Sequence, residues 1–142
     1  QGLEMEAKSI HPTMKYKDAH SAIEWLCDTW GFEKHLVVDG PDETVVHSQL
    51  KLGEVMVMIG SLNEGEYGKL IVQPSDINGR ETQAPYIVVD DPDWFYTKAK
   101  DKGAKILIDI KDEDYGGRGF TCADPQGHIW NFGSYDPWEK TE

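Results

Sequence analysis

Basic side chains are scarce in this chain: 14 Lys and Arg stand against 26 Asp and Glu, a formal net charge of −12 over 142 residues. A surface dominated by negative charge repels phosphate backbones and anionic lipid heads, which sets nucleic acid and membrane partners aside. Long apolar runs are missing as well. No stretch approaches the roughly 18 residues that a spanning helix needs, and no basic-then-apolar leader pattern opens the chain. Cysteine is limited to Cys27 and Cys122, far apart and in no C-x-x-C spacing, which excludes a disulfide framework and a thiolate zinc site. A cytoplasmic protein with reduced thiols is the expectation. The G-x-S-x-G elbow, a phosphate-cradling loop and an ordered Ser-His-Asp set are absent too.

What is present is ordinary globular material. Apolar residues at 39% and aromatics at 11% suffice for one buried core, so 1–142 reads as a single domain. Ile10–Tyr16 alternates as a strand. Asp18 then offers a helix cap, Ala19, Ile23, Leu26 and Trp30 follow at helical spacing, and Gly31 closes the helix. Lys34–Asp39, Thr44–Leu52 and Val55–Ser61 read as three strands separated by Gly-rich turns. Residues 62–82, with Gly65, Gly68, Pro74 and Gly79 among charges, read as a linker with one short extended piece at Leu70–Val72.

The pattern then begins again. Pro85–Val89 is β-rich, and Asp91-Pro92 is a cap followed by proline at the first helical position. Phe95 and Ala99 point inward and Gly103 ends the helix. Lys105–Ile110, Gly119–Ala123 and His128–Gly133 complete the set, with Asp124-Pro125-Gln126-Gly127 as a turn. The halves superpose in sequence: Gly31 to Gly103 is 72 positions, and Met58 to Asn131 is 73. Two tandem βαβββ modules, 10–61 and 83–134, follow from this self-similarity. The fold class is α+β, with curved mixed sheets around a central cavity.

A duplicated βαβββ chain of this length resembles the vicinal oxygen chelate superfamily, which includes glyoxalase I, extradiol dioxygenases and the fosfomycin- and bleomycin-resistance proteins. The likeness is carried by His11-Pro-Thr-Met-Lys-Tyr-Lys-Asp18, by Ala22-Ile23-Glu24-Trp25-Leu26, and by Trp30-Gly31-Phe32-Glu33. It is carried again by the ending Asp124-Pro125-Gln126-Gly127-His128-Ile129-Trp130-Asn131-Phe132. The resemblance implies a homodimer and, for many members, a divalent metal held by His and Glu at the first and last strand of each module. Those positions fall here on His11, Met58, Gln83 or Ala84, and Asn131. Only His11 is a competent ligand, since a thioether and amides serve hard divalent ions poorly. The bleomycin-resistance-like members, without metal, are therefore the nearest match in chemistry.

Ligand-contacting candidates follow from strand phase. His47 shares a face with Gln49 and Lys51; that face is either a pocket wall or simply wet. Met56, Met58 and Trp130 are placed toward the cavity, and Tyr86 joins them by its phase with Ala84 and Val88. Arg118, within Tyr115-Gly116-Gly117-Arg118-Gly119, offers a fork for a carboxylate or phosphate, or equally marks a strand bulge. Asn131 completes the ligand-binding set, and the helical tryptophans read as core. The function expected is capture of a small organic ligand. Two alternatives stand beside it: a metal-dependent lyase, isomerase or transferase using His11 with His47 or Gln83, and a dimeric scaffold without a ligand.

Overall fold

Asp18 and Gly31 bracket the first helix in the computed structural model, which describes residues 5–139; the ends of the expected domain, 1–4 and 140–142, lie outside the described residues. This helix, α1, runs Ala19–Trp30. The Asp18 carboxylate accepts from the Ser21 amide at 3.1 Å, satisfying a donor that the first turn leaves open. At the far end Gly31 adopts φ 86°, a left-handed conformation that glycine tolerates best, and its amide donates to the Cys27 carbonyl. Ala19, Ala22, Ile23, Leu26 and Trp30 recur at three- and four-residue spacing, and all are buried.

Strands β1 (Thr13–Tyr16), β2 (Glu33–Asp39), β3 (Val45–Leu52) and β4 (Val55–Ser61) complete the first module. They form one sheet in the order β1-β4-β3-β2, with β1 parallel to β4 and the other pairs antiparallel. The second module repeats this plan with β5 (Tyr86–Val88), α2 (Pro92–Asp101), β6 (Lys105–Asp112), β7 (Arg118–Ala123) and β8 (Ile129–Gly133). Its sheet runs β5-β8-β7-β6. The fold is thus α+β, two βαβββ units carrying two mixed four-stranded sheets.

Two local expectations are corrected. Strand β1 is shorter than the Ile10–Tyr16 run, because Pro12 has no amide to give a ladder and contributes only its carbonyl, to Met58. Leu70–Val72 is not extended pairing. Gly68–Leu70 and Pro74–Ile77 are single 3-10 turns, the second closed by reciprocal bonds between Gln73 and Asp76 and by proline at its first turn.

One core joins the modules. Met14, Tyr16, Leu50, Val57 and Ile59 of the first sheet meet Ile87, Phe120, Cys122, Trp130 and Phe132 of the second, with both helices between. The Trp30 ring lies 5.6 Å from Trp130 and 4.5 Å from Phe132, and its indole N–H donates to the Phe95 carbonyl at 3.1 Å. Burying a large apolar side chain of this kind stabilises by about 1.5–3 kcal/mol. Strand side chains alternate between faces, so each residue in this core leaves its neighbours on the opposite, outer face. Among the described residues no helix is long and apolar enough to cross a membrane.

Candidate functional site

Each outer face is built around one row of paired residues. On the first sheet the row is Thr13, Met58, Gln49 and Leu36; on the second it is Tyr86, Asn131, Thr121 and Ile108. Met58 and Asn131 therefore hold the same place in their modules, on the last strand between the first and the third. Leu36 and Ile108, at the ends of the rows, are 44% and 51% exposed.

Over the second face lies a hollow of about 300 Å³, lined by Tyr86, Ile108, Tyr115, Thr121, Asn131 and Tyr135 among others. Two glycines make room for it. A Cβ on Gly133 would come within 2.6 Å of the Tyr86 hydroxyl, and one on Gly119 within 2.7 Å of the Phe132 carbonyl oxygen. Tyr86 lies across Gly133 and donates to the Tyr135 carbonyl at 2.7 Å, and the Tyr115 ring meets Tyr135 edge-on at 5.0 Å. Partial burial, aided by neighbouring Tyr115, Asp136 and Glu113, holds the Tyr86 phenol above its ordinary pKa. It remains a neutral donor. Asn131 is fixed at both ends of its amide: the oxygen accepts from the Thr121 hydroxyl at 2.6 Å, and the nitrogen donates to the Pro85 carbonyl at 3.1 Å. One N–H and one lone pair are left for a ligand.

The first face is more polar. His11 lies just before β1, its Nδ1 3.3 Å from the Met56 carbonyl and its Nε2 2.9 Å from the Ser9 hydroxyl. His47 is half-buried on β3, with Nε2 3.1 Å from the Gln49 amide nitrogen. Met56 and Met58, also half-buried, share this face on β4, opposite Lys51 and Gln49. The linker reaches across this face. The Tyr67 hydroxyl is 3.3 Å from that of Thr13, and the Lys15 ammonium stands 5.7 Å from the centre of the Tyr67 ring.

Two candidates are placed differently from their sequence reading. Trp130 faces the core, fully buried, because it neighbours Asn131 on the strand and so points the other way; its indole N–H donates to Asp124 at 3.0 Å. Arg118 begins β7 at the rim of the hollow, but its fork is already taken. Nε and one terminal nitrogen bind Asp93 at 2.9 and 3.1 Å, and the other nitrogen binds Asp112 at 3.3 Å. These carboxylates raise the Arg118 pKa, and Arg118 lowers that of Asp93.

The donor set does not fit a divalent ion. Both His11 nitrogens have partners, Gln83 is an exposed loop residue, and the equivalent positions on β4 and β8 offer a thioether and an amide. Among the described residues no group of three or more His, Cys, Asp or Glu side chains is placed to hold a metal. A separate hollow of about 360 Å³, between the start of α1 and the β7–β8 turn, is lined by Tyr16, Trp25 and Asp124. The Asp124 carboxylate there is spent on Tyr16, Trp130 and the amides of Gln126 and His128.

Sequence reasoning missed Thr121, Ile108 and Tyr135. Thr121 and Ile108 were reachable once Asn131 was aligned with Met58, since pairing carries the row across the sheet. Tyr135 lies beyond the last strand and had no signal.

Residues 9–132 match the Glyoxalase/Bleomycin resistance protein/Dioxygenase superfamily. An uncharacterized protein of Mycobacterium bovis is 26% identical over 125 residues, 88% of this chain and 82% of that one. Among solved structures, TioX from Micromonospora sp. ML1 is similar at TM-score 0.63 and 24% identity, covering 88% of this chain and 98% of that chain. The fosfomycin resistance protein FosX from Listeria monocytogenes, complexed with Mn(II) and sulfate, is similar at TM-score 0.64 and 13% identity over 94% and 96% of the two chains.

Proposed function

The chain belongs to the Glyoxalase/Bleomycin resistance protein/Dioxygenase superfamily, and we propose that it captures a small organic ligand on its outer sheet faces without a resident metal. The observation that carries this reading is the pair of equivalent rows. Where metal-dependent relatives need hard donors, these rows present Met58 and Asn131, flanked by Thr13, Gln49, Tyr86 and Thr121. Such a surface positions a ligand by apolar contact and hydrogen bonds. The tyrosine-rimmed hollow supplies aromatic walls, Tyr86 a phenol oxygen that accepts, since its proton goes to the Tyr135 carbonyl, and Asn131 a paired donor and acceptor. His11, His47, Met56 and Met58 are the matching contacts on the first face.

A homodimer belongs to the same reading. Leu36, Val38, Val88 and Ile108 leave apolar surface open on both faces, and a second copy laid over them would turn open faces into walls of one cavity. Free Cys27 and Cys122 accord with a cytoplasmic setting. Elemental analysis of purified protein for nickel, zinc, manganese and iron, followed by a thermal-shift screen of aromatic metabolites and glycopeptide antibiotics, tests the proposal. Sub-stoichiometric metal with a ligand that raises the melting temperature progressively, with the logarithm of its concentration once that exceeds Kd, is the expected result. One tightly held metal per chain would replace it with the metal-dependent lyase, isomerase or transferase; no stabilising ligand would leave the scaffold.

A further inference from the structure

We infer that the first outer face selects a small organic anion, with Lys15 as its charge anchor, an assignment that rests on the ligand-capture reading above and narrows its chemistry. The starting point is a local reversal of charge. The chain carries 26 acidic residues, yet β1, β3 and β4, which make up most of this face, contain no Asp or Glu. They contribute Lys15, His47 and Lys51, and His11 precedes them.

Carboxylates lie at the margins of the face, on β2, in the turns at Asp42, Glu43 and Glu54, and in the linker. Of the two on β2, Asp39 is bound to His20 of α1 at 3.0 Å, and Glu33 stands opposite Lys51 at the far end of the ladder. Glu64 and Glu66 of the linker are exposed and pair with no described lysine. Lys15 is the half-buried cation of this face. Its ammonium lies against Gly60, where an added Cβ would come within 3.1 Å of it, and Tyr67 of the linker stands over it. Among the described residues its ammonium has neither an ion pair nor a hydrogen bond, a state it shares with Lys51 of the same face, so neither charge is already spent on a carboxylate as those of Lys34 and Arg118 are.

Cations on a face whose strands carry no Asp or Glu leave positive potential uncompensated there, and a bound carboxylate, phosphonate or sulfonate offsets it. Thr13 and Gln49 lie within the same face to hydrogen-bond the anion's other oxygens, while Met56 and Met58 adapt to its organic body. The same charge distribution disfavours a cationic ligand on this face.

The test uses a matched aromatic set on the intact protein: phenylphosphonate and benzoate as anions, benzyl alcohol as the neutral member, benzylamine as the cation, and inorganic phosphate. Affinities come from amide chemical-shift titrations. The expected outcome is that the two aromatic anions bind at least about tenfold tighter than benzyl alcohol, perturbing β1 and β4, with benzylamine weakest. Lys15→Gln removes that advantage, Lys15→Arg restores it, and Lys51→Gln, with the same net charge change, leaves it intact. An anion advantage that survives Lys15→Gln, or none in the wild type, overturns this inference while benzyl alcohol binding leaves ligand capture standing. Phosphate binding as tightly as phenylphosphonate overturns the organic part of the assignment. Failure of every member to bind overturns both readings.

Discussion

Glycines 119 and 133 show how single positions shape the hollow. Both lie on central strands of the second sheet, facing each other across the β7–β8 ladder. Their obstacles differ. At Gly119 a side chain would meet the Phe132 carbonyl and the Gly133 backbone, neither of which can move without disturbing the ladder. At Gly133 it would meet only the outer end of Tyr86, a ring that can swing away. Gly119→Ala is therefore expected to cost about 1–3 kcal/mol in urea denaturation. Gly133→Ala is expected to cost less than about 1 kcal/mol, mainly through the lost Tyr86–Tyr135 bond. Equal losses for both would refute this account. The thiols take no part in such chemistry: burial, followed by the nearby Asp124 charge, pushes Cys122 up to about 12, and burial raises Cys27 as well.

Between elements, the linker is held by a buried polar junction rather than by apolar packing. His128, 5% exposed, places Nε2 2.8 Å from the Lys15 carbonyl of β1 and Nδ1 3.3 Å from Glu81. Both partners are acceptors, so only the imidazolium can donate to each at once. Burial draws the His128 pKa down, but the Glu81 bond and the charges of Asp124 and Glu81 outweigh it, and the net direction is upward. Glu81 also accepts from the Ile129 amide at 2.6 Å, and Gln73 donates to the same Lys15 carbonyl at 3.0 Å, which ties 62–82 to both modules. A folded pKa above the unfolded one means the native state binds the proton more tightly. The stabilisation is thus complete below about pH 6.5 and fades as pH rises through the folded value. Melting temperature is expected to decline from about pH 6.5 toward pH 9 in the wild type and to vary less in Glu81→Gln. A wild-type profile without that decline would remove the imidazolium from the junction.

At the level of the whole molecule, the helices and the aromatic core occupy the space between the inner faces, and, Trp130 and Arg118 apart, the ligand-contacting candidates look outward. A chain so arranged gains from a partner. Sedimentation is expected to report twice the 16.1 kDa chain mass, with Leu36→Glu and Ile108→Glu shifting it toward the single chain without lowering the melting temperature of the separated protein. A wild type that sediments as a single chain at every concentration would confine each outer face to acting alone.

Periodicity and turn chemistry were enough to read the architecture. Asp18, Gly31, Asp91-Pro92 and the spacing from Met58 to Asn131 are local or repetitive signals, and such signals survive in one dimension. The same repeat exposed the poverty of metal donors, because it said which residues must be equivalent. On the last strand, the face turned to the core was beyond reach. Trp130 and Asn131 are adjacent, and only the packing against Trp30 and Phe32 chose the tryptophan for the inside. Arg118 likewise looked free until α2 brought Asp93 beside it. Lys15 drew no notice in the sequence, since only folding sets its ammonium against Gly60 and beneath Tyr67 of the linker. Alternation and capping are written into neighbouring residues; burial and pairing belong to contacts that folding alone creates.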